Sequence, residues 1–296
     1  MKVTKDGDNV ITRFTTISEA LRYAEAPCNL SNDKRSSIQG SEPFTKTADL
    51  PEAIQLARRG GQGGTQEIQQ YKAQIIDKLI GSLPTPEMAF AFRGHAFNMA
   101  RVLAGNPKAF IHYQHSNEIG EGLDNNPRII RFVINVTASG AIKPETLLRR
   151  GAAAIVLIDT LEHYDIRCRV DLVSAFSTKL VNGSAIEYYI PLKNEGDPLS
   201  VDKLAFFLCH PSSLRRLVLA IMEHEPDDIR TRFGIGQDKG AYGLPTMASQ
   251  QGDIYIDQIT SPLDWSEALT TAWLINQLES QGIKLSKKGT NGFTTN

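Results

Sequence analysis

The sequence predicts an α+β fold: a mixed β-sheet packed by helices, with a small N-terminal helical lobe. Three observations carry this expectation. Runs of β-branched residues, above all Arg128-Ile-Ile-Arg-Phe-Val-Ile-Asn-Val136, alternate with helical stretches such as Pro144 to Tyr164. The order strand, helix, strand, strand, helix from residue 128 onward suits a mixed sheet with helices laid on it. The stiff connector Leu83-Pro-Thr-Pro86 sets this region apart from an N-terminal part with mostly helical signals. The implied units are a lobe over residues 1–83, an α/β core over 84–281 and a flexible basic tail over 282–296.

The elements follow in order. Val10, Ile11 and Phe14 suit a short strand, and Ser18 opens a short helix. Residues 27–48 carry few large apolar side chains and read as a loop. Asp49 or Leu50 caps a helix over Leu50-Pro-Glu-Ala-Ile-Gln-Leu-Ala-Arg-Arg59, where Pro51 lies in the first turn and costs no hydrogen bond. The glycines at 60, 61, 63 and 64 end it, and helical spacing resumes from Thr65 to about Leu79. Ala96 to Leu103 reads as a helix stopped by Gly105-Asn-Pro107, and Ala109 to Tyr113 as a strand. Residues 114–127 read as a loop before the strand at 128–136. In the helix from Pro144, the apolar stretch Ala152 to Leu161 implies burial on more than one side. Strands at 167–176 and 185–190 precede helices at 201–208 and 212–223. A glycine-rich loop at 234–243, a short strand at 253–258 and a helix from Asp264 to Gln281 complete the chain.

Composition narrows the function classes. Hydrophobic residues at 41% and charged residues at 22% allow a packed core and argue against wholesale disorder. With 32 Lys and Arg against 33 Asp and Glu, the formal charge is -1, so a uniformly basic surface is excluded while a local basic groove is not. No apolar run approaches the roughly 18 residues of a membrane span, and the charged N-terminus has no secretion-signal character. A soluble, cytoplasmic protein without a membrane partner is expected. Cys28, Cys168 and Cys209 are odd in number and widely spaced, which suits free thiols and neither a disulfide framework nor a zinc site.

Motif by motif, catalysis finds no support. Gly234-Ile-Gly-Gln-Asp-Lys-Gly240 misses the dinucleotide fingerprint by one residue and lies outside any strand–turn–helix unit. No phosphate loop, nucleophile elbow or His-Glu-x-x-His occurs. His112 and His115 form the one close histidine pair, with Glu118 beyond it, and read as one core-edge and one solvent-facing residue. Asn135-Val-Thr137-Ala-Ser139 stands where von Willebrand A-type domains place Asp-x-Ser-x-Ser for a divalent cation. The amide at 135 removes the charge that such a hard cation needs. No catalytic residue, metal or cofactor is expected.

Nucleic-acid signals are stronger. Arg58 and Arg59 before a flexible glycine run suit phosphate contacts and base stacking, and equally suit a helix C-terminus. Lys108-Ala-Phe-Ile-His112-Tyr113 alternates basic or polar groups with aromatics, and Arg128 and Arg131 lie on the next strand. Phe110 and Phe132 read as core. Arg149 and Arg150, among small residues, read as structural and paired with an acid; Arg215 and Arg216 read as a solvated helix face. The tail carries Lys284, Lys287, Lys288 and Phe293 with no acid, and suits either a phosphate-wrapping arm or an inert end.

Pro43-Phe-Thr-Lys-Thr-Ala-Asp-Leu-Pro-Glu-Ala-Ile-Gln-Leu-Ala-Arg-Arg-Gly-Gly-Gln-Gly63 resembles the opening module of an uncharacterised family found in phages and plasmids. Leu103-Ala-Gly-Asn-Pro107, Ile134-Asn-Val-Thr-Ala-Ser139, Arg150-Gly-Ala-Ala-Ala154 through Asp159-Thr-Leu-Glu162, and Ala205-Phe-Phe-Leu-Cys-His-Pro211 extend the resemblance over residues 10–225. Gly61 departs from it, standing where the pattern has a tryptophan. Size and layout are also similar to the single-stranded-DNA-binding RNA polymerase cofactors (Drc-like) of lytic podoviruses. That resemblance implies a bacteriophage transcription accessory protein in the host cytoplasm, which holds melted promoter DNA and recruits the phage RNA polymerase. No residue-level DNA motif comes with it. The expected contacts therefore rest on pattern alone: Arg58, Arg59, Lys108, His112, Arg128 and the tail lysines, with Tyr113 and Phe293 stacking on bases. A homo-oligomer would extend a modest basic patch along a strand. The other open readings are an A-domain-type interaction module with a degenerate cation site, and an enzyme whose site is assembled from distant residues.

Overall fold

A computed structural model describes residues 1–28, 35–37, 40–60, 69–70, 73, 87–92, 96–114, 128–164, 166–178, 183–236 and 242–283. In chain order the elements are β1 (Lys2–Asp6), β2 (Asn9–Arg13), α1 (Ile17–Glu25), α2 (Glu42–Thr45), α3 (Leu50–Arg59), β3 (Glu87–Ala91), β4 (Ala96–Phe97), α4 (Met99–Leu103), β5 (Phe110–Gln114) and β6 (Ile129–Asn135). They continue with α5 (Pro144–His163), β7 (Arg167–Ser177), β8 (Ala185–Lys193), α6 (Val201–Cys209), α7 (Leu219–Glu223), α8 (Asp227–Phe233), β9 (Leu244–Pro245), β10 (Ile254–Ile256) and α9 (Glu267–Ser280). A wide π-type turn, Ser213–Val218, leads into α7.

The main sheet is mixed, as the strand runs imply, with order β1-β2-β8-β7-β6-β10 and β9 paired to β7. β6 runs parallel to β7, with α5 as the crossover, and parallel to β10. β7 and β8 are antiparallel, and β2 joins β8 in parallel. Phe132, Ile134, Val170, Leu172, Tyr188 and Ile190 form the face that meets the helices, and Val133, Val173 and Tyr189 meet Ala248 on the other. Burial on both faces explains why β6 carries apolar side chains at consecutive positions, Phe132-Val133-Ile134.

The N-terminal helices do not stand apart as a lobe. β2 is a strand of the main sheet, and Ala20, Leu21, Ala24, Ala53 and Ala57 of α1 and α3 pack into the same core as α5. Small residues at helical spacing let both helices approach closely, and that packing extends the core rather than starting a second one. The connector at 83–86 and most of the helix expected over 65–79 lie outside the described residues. Caps match in part. Of the two candidate caps of α3, Asp49 holds the position, its Oδ1 accepting the Glu52 N–H at 2.8 Å. Thr16, not Ser18, caps α1. Asp264 closes the turn before α9, where Oδ2 accepts the N–H of Ser261 at 2.8 Å, and Ser266 precedes the helix itself.

Two arginine readings are corrected. Arg216 is wholly buried, not solvated, and Arg215 reaches the carbonyls of Phe44 and Ile142. Arg150 is also wholly buried. Its guanidinium donates to the carbonyls of Asn135 (2.8 Å) and Val136 (3.3 Å) rather than to a described carboxylate. Carbonyls at strand ends and in connecting segments supply what a salt bridge would otherwise provide, since carbonyl oxygens turned out of a ladder need donors.

His210 follows α6 with its ring stacked on Phe206 at 5.5 Å, and its Nδ1 accepts the N–H of Ser212. Burial pushes its pKa down to about 4, Glu52 opposing and Lys46 adding slightly. A histidine held neutral in the fold takes up a proton more readily when unfolded, so stability falls as pH drops from about 6.5 toward 4. The full shift corresponds to roughly 3 kcal/mol. Urea titrations at pH 7 and pH 4 should therefore show a smaller acid loss in His210→Asn, which keeps an acceptor for Ser212, than in the parent chain. Equal acid losses in the two proteins would refute this assignment.

Candidate nucleic-acid interface

β3, β5 and β4 form a second, three-stranded antiparallel sheet. Its register pairs Phe90 with Ile111, Ala89 with His112 and Met88 with Tyr113. Adjacent residues on a strand alternate faces, so His112 and Tyr113 occupy positions on opposite sides of this sheet. Phe97 pairs with Phe110, and Phe110 is half-buried.

The short α4 replaces the helix expected over 96–103, because Ala96 and Phe97 are drawn into strand pairing. Asn98 then acts as its cap, with Oδ1 accepting the Arg101 N–H at 3.1 Å and its own N–H donating to Ala109 O at 2.8 Å. Gly105, at φ 66°, lets the chain turn back toward β5, and Asn106 Oδ1 accepts the Lys108 N–H at 2.9 Å. Arg101 and Lys108 are thereby held side by side, and Arg101 Nε donates to Lys108 O at 3.0 Å.

Both cations face aromatic rings. The Arg101 guanidinium carbon lies 4.0 Å from the Phe90 ring centre, and Lys108 Nζ lies 5.5 Å from that of Phe92. Phe92 is 66% exposed, and Met99 and Leu103 are exposed at 63% and 83%. Among the described residues no carboxylate forms an ion pair with either cation. This combination of open aromatic surface, flanking positive charge and apolar rim is what stacked bases and their phosphates require.

The other expected residues are distributed elsewhere. Arg58 is exposed and forms an ion pair with Glu25. Arg59 is exposed at the end of α3, with no ion pair to a described carboxylate. Gly60 follows at φ 82°, where an added Cβ would lie 2.8 Å from Asp202 Cβ, so the glycine run has a packing role at its start. Arg128 binds the end of α9, donating to Gln281 O (3.0 Å) and Oε1 (2.6 Å). Arg131 is held by Asp171 at 2.8 Å, a carboxylate that Arg169 also approaches. No hydrogen bond or ion pair joins these places to Lys108 among the described residues. Lys284, Lys287, Lys288 and Phe293, with His115 and Glu118, lie outside the described residues. Pattern reading found Lys108 and missed Phe90, Phe92 and Arg101. The alternation Met88-Ala-Phe-Ala-Phe92 was the available signal, since it puts both rings on one face of a strand.

Two other polar places are spent on structure. Asn135 is fully buried at the end of β6. Its Oδ1 accepts Thr137 Oγ1 (2.6 Å) and N (3.2 Å), and its Nδ2 donates to Thr246 O (2.8 Å) and Tyr255 OH (2.9 Å). The Arg150 cation lies directly behind, so this oxygen set is a poor home for a metal ion. Among the described residues no group of three His, Cys, Asp or Glu could hold one. A cleft of about 440 Å3 opens between α1, α3 and α7 beside Cys28, Glu223 and His224. Its polar groups are engaged: Glu223 accepts the Ser36 N–H and Tyr242 OH, and both His224 ring nitrogens face carbonyls, of Ala220 and Ala26.

The family model of a domain of unknown function, DUF7192, matches residues 2–284. No curated protein and no solved structure matches the chain.

Proposed function

We propose that this protein, which belongs to the DUF7192 family, binds single-stranded DNA without catalysing a reaction on it. The observation that carries the reading is the pairing of Phe90 and Phe92, on and just beyond β3, with Arg101 and Lys108 from the α4–β5 segment beside the small sheet, open to solvent at Phe92. A base stacks on the free side of the Phe92 ring while Lys108 turns to the adjacent phosphate. Each stacked base contributes about 1–3 kcal/mol and is read without sequence preference. The finer role, a cofactor that brings a phage RNA polymerase to melted promoters, draws its support from the sequence resemblance.

A second reading is favoured by the sheet order. β6 sends its crossover to β7 on one side and has β10 on the other, so Asn135 ends a strand at the point where open α/β sheets hold ligands. An A-domain-type protein-interaction module would use this end. The two readings separate on one titration. Fluorescence anisotropy with single- and double-stranded oligonucleotides should show single-strand binding that weakens steeply from low to moderate salt. Equal affinity for duplex, or no binding at low salt, defeats the first reading.

A further inference from the structure

The main sheet ends at β1, which pairs only with β2 among the described residues, and all five of its residues are exposed. Two independent features identify the backbone groups that point outward. The hairpin closes through the two-residue turn Gly7-Asp8, with Gly7 at φ 56°, which makes Asp6 and Asn9 a hydrogen-bonded pair. On the far side of β2, Phe14 N donates to Tyr189 O of β8, so Asn9, Ile11 and Arg13 turn their N–H groups toward β1. Their partners Asp6, Thr4 and Lys2 therefore spend their backbone groups inward. Val3 and Lys5 keep an N–H and a C=O each at the free edge.

We infer that β1 is a self-complementary edge that joins two copies of this chain, antiparallel, about a two-fold axis at Thr4. In that register Val3 of each copy pairs with Lys5 of the other, and every outward N–H and C=O of both residues is used. Lys2 then lies opposite Asp6 of the second copy, twice, at non-hydrogen-bonded positions where facing side chains are closest. The Lys5 stem covers Val3, which is 47% exposed in the single chain. Other permitted registers are worse. Centring on Val3 sets Lys2 opposite Thr4 and loses both Lys2–Asp6 pairs, and centring on Lys5 sets like charges opposite. Edge lysines ordinarily repel a foreign strand, so the pattern Lys-Val-Thr-Lys-Asp selects a second copy over an unrelated partner.

Sedimentation velocity of the full chain tests this. The parent protein is expected to dimerise. Lys2→Glu and Asp6→Lys should each weaken the dimer about tenfold or more, because two attractive pairs become two repulsive ones. An equimolar mixture of the two variants should restore dimers as heterodimers, since one chain then carries only cations at the paired positions and the other only anions. Val3→Pro removes an outward N–H and leaves the β1–β2 bonds intact, so it should give a monomer with unchanged thermal unfolding. A parent chain that stays monomeric, or a dimer indifferent to both single charge reversals, overturns the inference.

Discussion

Arg216→Ala should lower the unfolding free energy by about 3–5 kcal/mol, the cost typical of emptying a buried charged site. The guanidinium is wholly buried and its terminal nitrogens donate to Ser36 O (2.9 Å), Ser41 Oγ (2.8 Å), Thr47 O (3.1 Å) and Ala48 O (2.9 Å). All four acceptors belong to the stretch between α1 and α3, which has little apolar surface of its own. Alanine removes every donor at once and leaves carbonyls buried, each worth about 1–3 kcal/mol if unpaired. Arg216→Lys should fall between, because a point charge cannot span the acceptors that a planar fork reaches. Urea unfolding followed by circular dichroism measures both. A loss under about 1 kcal/mol for the alanine variant would mean that water replaces the guanidinium at little cost.

Gly151→Leu should be as damaging, through contact instead of charge. A Cβ added at Gly151 would lie 2.4 Å from Leu208 O and 2.5 Å from Cys209 Sγ, where α5 crosses α6. A backbone carbonyl cannot rotate aside, so the helices must separate. Gly151→Ala already sets this overlap against a gain of about 1 kcal/mol in helix propensity. Overpacking costs about 1–3 kcal/mol, and a net loss of up to about 2 kcal/mol is expected. The leucine variant should lose about 3 kcal/mol or more. Thermal unfolding of the pair decides the point; a stabilised alanine variant would show that the propensity term outweighs the overlap.

The strands that carry the main sheet were legible where burial is two-sided. β6 is apolar at five of its seven positions, and β7 at six of its eleven, with Val170, Leu172, Val173, Ala175 and Phe176 concentrated toward its C-terminal half. β1 was not legible, because Lys-Val-Thr-Lys-Asp is exposed throughout and owes its extended form to backbone pairing with β2. α8 was hidden by its charges: only Ile229 and Phe233 are buried in it. Arg216 looked solvated because a pair of arginines on a helix carries no mark of the carbonyls that a distant loop brings to it. The candidate interface was half legible for the same reason. Lys108 lies within a basic–aromatic alternation, whereas the partnership of Arg101 with Phe90 depends on β3–β5 pairing and on the turn at Gly105, neither of which is local.

Single-strand binding by the small sheet is the central claim, and the salt dependence of two variants tests it most directly. Phe92→Ala should weaken binding of a homopolymeric single strand about 5- to 150-fold at every salt concentration, without altering the slope of log affinity against log salt. Lys108→Ala should make that slope shallower by about 0.7, the share of one neutralised phosphate. Parent affinity and parent slope in both variants would place the binding surface, if any, away from Phe92 and Lys108 and contradict the account.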